Sequence, residues 1–150
     1  LSLMLFGGII SRIVSGMLAD KLGGIFTLII GSILQCLALL MYLPSDALVS
    51  LYAVSLLFGL AQGGIVPSYA IIIREYLPSS VAGAKIGNVL MMTIMGMALG
   101  GWMSGWIFDL TGSYTAAFAN GIAWNAINLG IALLLLFWGG GIGFKRAKIA

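Results

Sequence analysis

Residues 7–24 read GGIISRIVSGMLADKLGG, and Ile25 to Leu43 continue as IFTLIIGSILQCLALLMYL. An apolar run leads into a compact turn, Asp20-Lys21-Leu22-Gly23, and a second apolar run follows at once. Crossing a bilayer takes about 20 apolar residues, so the two runs are predicted to be membrane spans joined by a tight polar turn. Composition carries this outward to the whole chain. Of 150 residues, 61% are hydrophobic and only 7% are charged. A soluble domain carries roughly 25% charged residues. Seven Lys/Arg and four Asp/Glu cannot clothe the surface of a soluble fold of this size, so the surrounding solvent is lipid.

Five spans are predicted, at about residues 1–18, 25–43, 50–73, 84–108 and 115–138, with 139–150 as a tail. The breakers ADKLGG, PSDA, EYLPSS and LTGSY separate them. No sustained period-2 alternation is present, which excludes barrel strands. The class is therefore all-α integral membrane, as a single membrane domain. The chain opens with Leu inside an apolar run, without a basic, apolar and small-residue signal pattern, and is expected to be a piece of a longer protein.

Charge placement orients the spans. If five helices alternate, Lys21, Arg74, Lys85 and the tail residues Lys145, Arg146 and Lys148 share one side. Asp46 and Asp109 occupy the other, which has no base. The positive-inside rule makes the basic side cytoplasmic, the C-terminus included. Tyr42, Tyr52 and Tyr114 then sit near the outer interface, and Tyr76 and Trp138 near the inner one. A multi-pass protein of a cell membrane is expected. The bases form no patch, which argues against nucleic acid as a partner.

With no His and a single Cys, Cys36, no disulfide, His-based metal site or His relay can form within the chain. A membrane enzyme would need clustered acids, His or Cys. The chain has none, so no enzyme activity, metal or cofactor is expected.

The polar and small residues inside the spans are the candidate machinery. In the fourth span Thr93, Gly96, Gly100, Gly101, Ser104 and Gly105 form a small-residue stripe, read as a close helix contact. In the third span Gly59, Gln62, Gly63, Val66, Pro67 and Ala70 share a face. Pro67 cannot donate to the Gly63 carbonyl, so a hinge at Gly63–Pro67 is expected. Gln62 either lines a cavity or bonds a neighbouring helix. In the fifth span Asn120, Trp124 and Asn128 are spaced by four with Asn125 alongside, as interhelical glue or ligand contacts. Asn88 and Thr93 join Arg12 and Gln62 as candidate substrate contacts.

Arg12 is the sharpest feature. It precedes Asp20 by about 12 Å along a helix axis, against a hydrocarbon half-thickness of about 15 Å. A charge at that depth costs at least about 2.5–3.5 kcal/mol and must face protein or water. Gly8, Ser11, Ser15 and Gly16 leave room around it. Either the guanidinium fork grips an anionic cargo, or it pairs with Asp20, Glu75 or a segment outside the chain.

The stretch Gly16-Met-Leu-Ala-Asp20-Lys21-Leu-Gly23 resembles the cytoplasmic loop motif of the major facilitator superfamily, glycine-x-leucine-x-aspartate-basic-x-glycine. GLAQGGIVPSYAIIIREYLP is similar to that family's tenth helix and its exit, and GMALGGWMSGWIFDLTGSYTAAF to the eleventh. The resemblance implies helices eight to twelve of a twelve-helix transporter fold, with the N-terminal half of the same transporter and the lipid bilayer as partners. The family's loop motif ends in two basic residues; here those positions are Gly24 and Ile25. SRIVSGMLADKLG also resembles the monocarboxylate and oxalate/formate antiporter branch, in which an arginine four residues before a glycine binds a substrate carboxylate; Arg12 and Gly16 match. That branch implies a small organic anion moved by alternating access. The monocarboxylate carriers place an aspartate four residues before the arginine, where this chain has Gly8. The resemblance also implies gating by Gly16, Asp20, Lys21 and Gly23, with Asp20 near the start of the fourth span and Arg74 and Glu75 joining the network. On this reading the first and fourth spans line the cavity with part of the third, and the second and fifth turn more towards lipid. A neutral or cationic solute, and a non-transporting assembly subunit, are the alternatives.

Overall fold

The computed structural model describes residues 2–43 and 47–141. Asp46 and the tail residues Lys145, Arg146 and Lys148, which belong to the expected charge pattern, lie outside the described residues. The order is α1 (Ser2–Leu22), α2 (Gly24–Tyr42), α3 (Leu48–Gln62), α4 (Ile65–Tyr76), α5 (Ser79–Thr111) and α6 (Tyr114–Gly141). Helices α3 and α4 run as one interrupted span, giving five membrane-crossing units among the described residues. The chain is an all-helical, multi-pass membrane protein.

Helix ends follow backbone chemistry more than hydropathy, and α5 extends beyond the apolar limits expected at 84–108. Pro78 precedes α5, where a missing N–H costs nothing, and its carbonyl accepts from Val81 N and Ala82 N. Gly112, left-handed at φ 66°, closes α5 with its N–H on the Phe108 carbonyl at 2.7 Å. Between α3 and α4 the helix lapses at Gly63–Gly64. Pro67 is the third residue of α4, a first-turn position that needs no intrahelical donor.

Helix α2 is the hub, packing against α1, α3, α4 and α6. Its Ile25, Leu28 and Ile29 form the buried cluster with Ile65 and Ala132. Its other face is a continuous exposed apolar stripe through Phe26, Ile30, Ile33, Leu37 and Leu40. The expectation that the second span turns towards lipid therefore holds for one face only, because the opposite face is enclosed by four helices. Helix α5 packs only on α4 and α6, and α1 does not touch it.

Amides join the helices where hydrocarbon offers no water. Asn128 accepts from the Tyr69 hydroxyl at 2.9 Å and donates to Ser32 Oγ at 2.9 Å, tying α6 to α4 and α2. Asn125 donates to Gln35 Oε1 at 2.7 Å. Near the other end Tyr42 donates to Ser55 Oγ at 2.8 Å and stacks on Phe118.

Candidate functional site

Two regions hold the candidate residues: the turn-bearing end of the bundle, and a cleft between the helices.

At the turn, Gly23 adopts φ 87°, a backbone state that side-chain-bearing residues avoid, and this lets α2 start one residue after α1 ends. The orphan N–H of Gly24 points at Glu75 on α4, which accepts it with Oε1 at 3.0 Å and Oε2 at 3.2 Å. A carboxylate at a helix N-terminus is favoured by the orphan donors and the dipole together. The approach requires glycine. A Cβ on Gly24 would stand 2.7 Å from Ile72 Cγ1 and 2.9 Å from Ile72 N. Helix α4 thus occupies the space that a first basic residue of the family motif would need.

This changes the cast of the expected charge network. Glu75, not Asp20, meets a helix N-terminus, and the helix is α2 rather than α5. Asp20 and Lys21 are exposed, and α1 makes no contact with α5. A Cβ on Gly16 would meet nothing within 4 Å. Arg74 is exposed beside Glu75 in sequence. Among the described residues, Arg12, Asp20, Lys21, Arg74 and Lys85 make no ion pair.

Further tight contacts join α1 to α3 and to the Gly63–Gly64 step that follows it. A Cβ on Gly7 would stand 2.8 Å from the Leu56 carbonyl. One on Gly59 would collide with the Met4 backbone, one on Gly63 with Gly8 and Ser11, and one on Gly64 with the Ser15 hydroxyl. The small residues expected to make room around Arg12 therefore seat α3 instead. Arg12 follows Ser11 by about 100° around the helix, so it leaves that contact and stays exposed. It is the middle residue of α1, paired with neither Asp20 nor Glu75.

The cleft, about 1010 Å³, opens between α1 and α3 on one side and α5 and α6 on the other. Met4, Phe58 and Gln62 face Gly96, Gly100, Gly101 and Ser104, with Asn120 and Trp124 as the third wall. Gln62 Oε1 is buried without a hydrogen-bond partner. A cavity-lining place is what the geometry assigns to Gln62, since it makes no interhelical bond through that oxygen. The glycine stripe meets no helix among the described residues: a Cβ on Gly96, Gly100, Gly101 or Gly105 would find nothing within 4 Å.

The four expected substrate contacts do not converge here. Gln62 lines the cleft, and Arg12 does not. Thr93 spends its hydroxyl on the Val89 carbonyl of its own helix at 2.8 Å, and Asn88 is exposed away from the cleft lining. The amides of α6 divide: Asn125 and Asn128 bond other helices, while Asn120 with Trp124 lines the cleft. Phe58 and Met103, also in its walls, carried no sequence signal beyond apolarity. Among the described residues no group of His, Cys, Asp and Glu could hold a metal ion.

Comparison with known proteins agrees with this architecture. The chain is 27% identical over 137 residues to monocarboxylate transporter 13 of Bos taurus, covering 90% of this chain and 32% of that protein. It is 28% identical over 137 residues to the 4-hydroxybenzoate transporter PcaK of Pseudomonas aeruginosa, covering 91% of this chain and 30% of that protein. The chain thus spans about a third of the length of the curated relatives it matches. No solved structure matches it. The family model described as Major Facilitator Superfamily matches residues 1–145, and with that match, five apolar spans and the glycine-aspartate turn in place, the chain belongs to the Major Facilitator Superfamily.

Proposed function

We propose that this chain forms helices eight to twelve of a secondary transporter that moves a small organic anion by alternating access, with Arg12 holding the anion. The observation that carries the reading is Arg12 itself, at mid-helix, exposed and without an ion pair among the described residues. By contrast, the polar side chains of Ser32, Gln35, Tyr69 and Asn128 bond one another or Asn125. A permanent charge held at that depth without a partner costs about 2.5–3.5 kcal/mol or more, a cost that function must offset. A carboxylate suits the guanidinium fork, and two of the relatives are named as monocarboxylate and 4-hydroxybenzoate transporters.

In the cycle, two halves rock about a central site. The Glu75–Gly24 contact closes one end of this half, and the interruption at Gly63–Gly64 lets α4 move with that end while α3 stays seated on α1. With Lys21, Arg74 and Lys85 at that end, it is the cytoplasmic one. The membrane is a cell membrane, and the partners are the bilayer, the N-terminal half of the same transporter and the anion. The activity is transport rather than catalysis.

The test is uptake by Arg12→Lys in the full-length parent. Lysine keeps the charge and loses the bidentate fork. Carboxylate uptake should fall by an order of magnitude or more, corresponding to about 1.4 kcal/mol or more of lost binding. Near-normal carboxylate uptake would remove Arg12 from the anion site. Unimpaired counterflow of a neutral solute would move the substrate class instead.

A further inference from the structure

Beside the break at Gly63–Gly64 lies another cavity, of about 190 Å³, enclosed by α1, α2 and the last turn of α3. The regular helix ladder stops at Gly63 N–H on the Gly59 carbonyl and resumes with Ser68 N–H on the Gly64 carbonyl. Carbonyls in the last turn of a helix carry the negative end of its dipole. One of them, the Ala61 oxygen, lies against α2, 3.5 Å from where a Cβ on Gly31 would stand. Gly31 and Ala61 both line the cavity.

Three hydroxyl residues share that wall: Ser11 and Ser15 of α1 and Thr27 of α2. Ser11 is 4% exposed, yet its hydroxyl has no hydrogen-bond partner among the described residues. Nor has that of Ser15. Elsewhere in the bundle such hydroxyls return their proton to a carbonyl one turn back, as Ser68 does to Gly64 and Thr27 to Gly23. Burying a hydroxyl without a partner is costly, so the cavity has to supply what Ser11 lacks. Every polar group offered by the lining side chains is a neutral hydroxyl, and no acid, His or Cys is among them. Hydroxyl and carbonyl oxygens are ligands for hard cations. Without a carboxylate the set cannot balance a divalent ion, which leaves a monovalent one. Broken membrane helices present C-terminal carbonyls to Na⁺ in this manner. A water occupies about 30 Å³, so the cavity has room for an ion and a few waters.

We propose that this cavity is a Na⁺ site, with Ser11 Oγ, Ser15 Oγ, Thr27 Oγ1 and the Ala61 carbonyl as protein ligands, and that Na⁺ is the coupling ion. The coupling role rests on the anion reading above; the site itself does not. Arg12 supplies the coupling. It follows Ser11 in α1, about 3.8 Å away at Cα, but is not part of the cavity wall. A bare guanidinium repels a cation held by Ser11, and a carboxylate on Arg12 cancels that repulsion. Each ligand therefore raises the affinity of the other by the same factor. A monocarboxylate and one Na⁺ cross together as a neutral pair.

Binding of radioactive Na⁺ to the purified full-length transporter, with no carboxylate present, tests the site. Saturable binding that unlabelled Na⁺ displaces and K⁺ does not is the expected result. Ser11→Ala and Ser15→Ala should each weaken it about tenfold or more. Ser50→Ala, which removes a hydroxyl bonded to the Ala47 carbonyl outside the cavity, should leave it unchanged. As a second measure, NaCl should raise the melting temperature of the parent and of Ser50→Ala above that in choline chloride, and fail to do so for Ser11→Ala. Arg12→Ala should bind Na⁺ more tightly than the parent, because a like charge has gone. Absence of saturable binding, or binding that both cavity serine variants leave intact, would overturn the site. An Arg12→Ala affinity no higher than the parent's would overturn the coupling. If Na⁺ binds as expected while Arg12→Lys takes up carboxylates normally, the anion assignment falls and the cation site stands.

Discussion

Glu75 places both carboxylate oxygens on the backbone N–H of Gly24, at 3.0 and 3.2 Å, across 51 residues of sequence. One acidic side chain on α4 thereby caps the helix that forms the hub of the bundle. Gly23 cannot do this itself, since it offers no side-chain acceptor.

Glu75→Ala should cost about 1–2 kcal/mol, the sum expected for a lost cap and a lost charge–dipole contact. Glu75→Gln keeps an acceptor and should cost roughly half as much, as a neutral hydrogen bond is about half as strong as a charged one. Unfolding in detergent measures both. Amide exchange at Gly24 should quicken in the alanine variant. An unchanged exchange rate would mean that water caps α2 equally well.

Gly24→Ala should destabilise by about 1–3 kcal/mol, the usual range for overpacking, because the new methyl would meet Ile72 at 2.7 Å. Gly16→Ala, with open space at its Cβ, should be close to neutral or slightly stabilising, as in any helix interior. Yield and thermal stability of the two variants, compared side by side, check the contrast.

Tyr69→Phe and Asn128→Leu both cut the chain of hydrogen bonds from Tyr69 through Asn128 to Ser32. A double-mutant cycle on the pair should return a coupling of about 0.6 kcal/mol, and not above about 1.7 kcal/mol. A coupling of zero would mean that the Tyr69 hydroxyl finds an equal partner once Asn128 is gone.

Pro67→Ala restores an N–H opposite the Gly63 carbonyl and should favour one continuous helix through residues 48–76. Equilibrium stability should change by less than about 1 kcal/mol, the range of compatible proline exchanges. If the interruption serves as the hinge, the rate of transport falls while substrate affinity is kept. Initial uptake rates beside binding titrations distinguish the two quantities, and an unaltered rate would assign Pro67 to local packing alone.

Membrane class, the number of crossings and the end that carries Lys21, Arg74 and Lys85 were legible in the order of residues. They depend on hydropathy summed along about 20 neighbours and on which side of a span a charge falls, and both are one-dimensional quantities. Helix partnership is not of that kind. The rows Gly7-Ser11-Ser15 and Gly96-Gly100-Ser104 look alike in sequence, yet one is pressed against α3 and the other faces a cleft. Asp20 and Glu75 look equally suited to a helix N-terminus, and folding brings only Glu75 to one. Asn125, Asn128 and Gln62 are alike as intramembrane amides; the first two donate to Gln35 and Ser32 on α2, while Gln62 lines the cleft. Each outcome turns on the azimuth of a helix and on which neighbour lies within hydrogen-bond or van der Waals reach, and those arise only when the helices assemble.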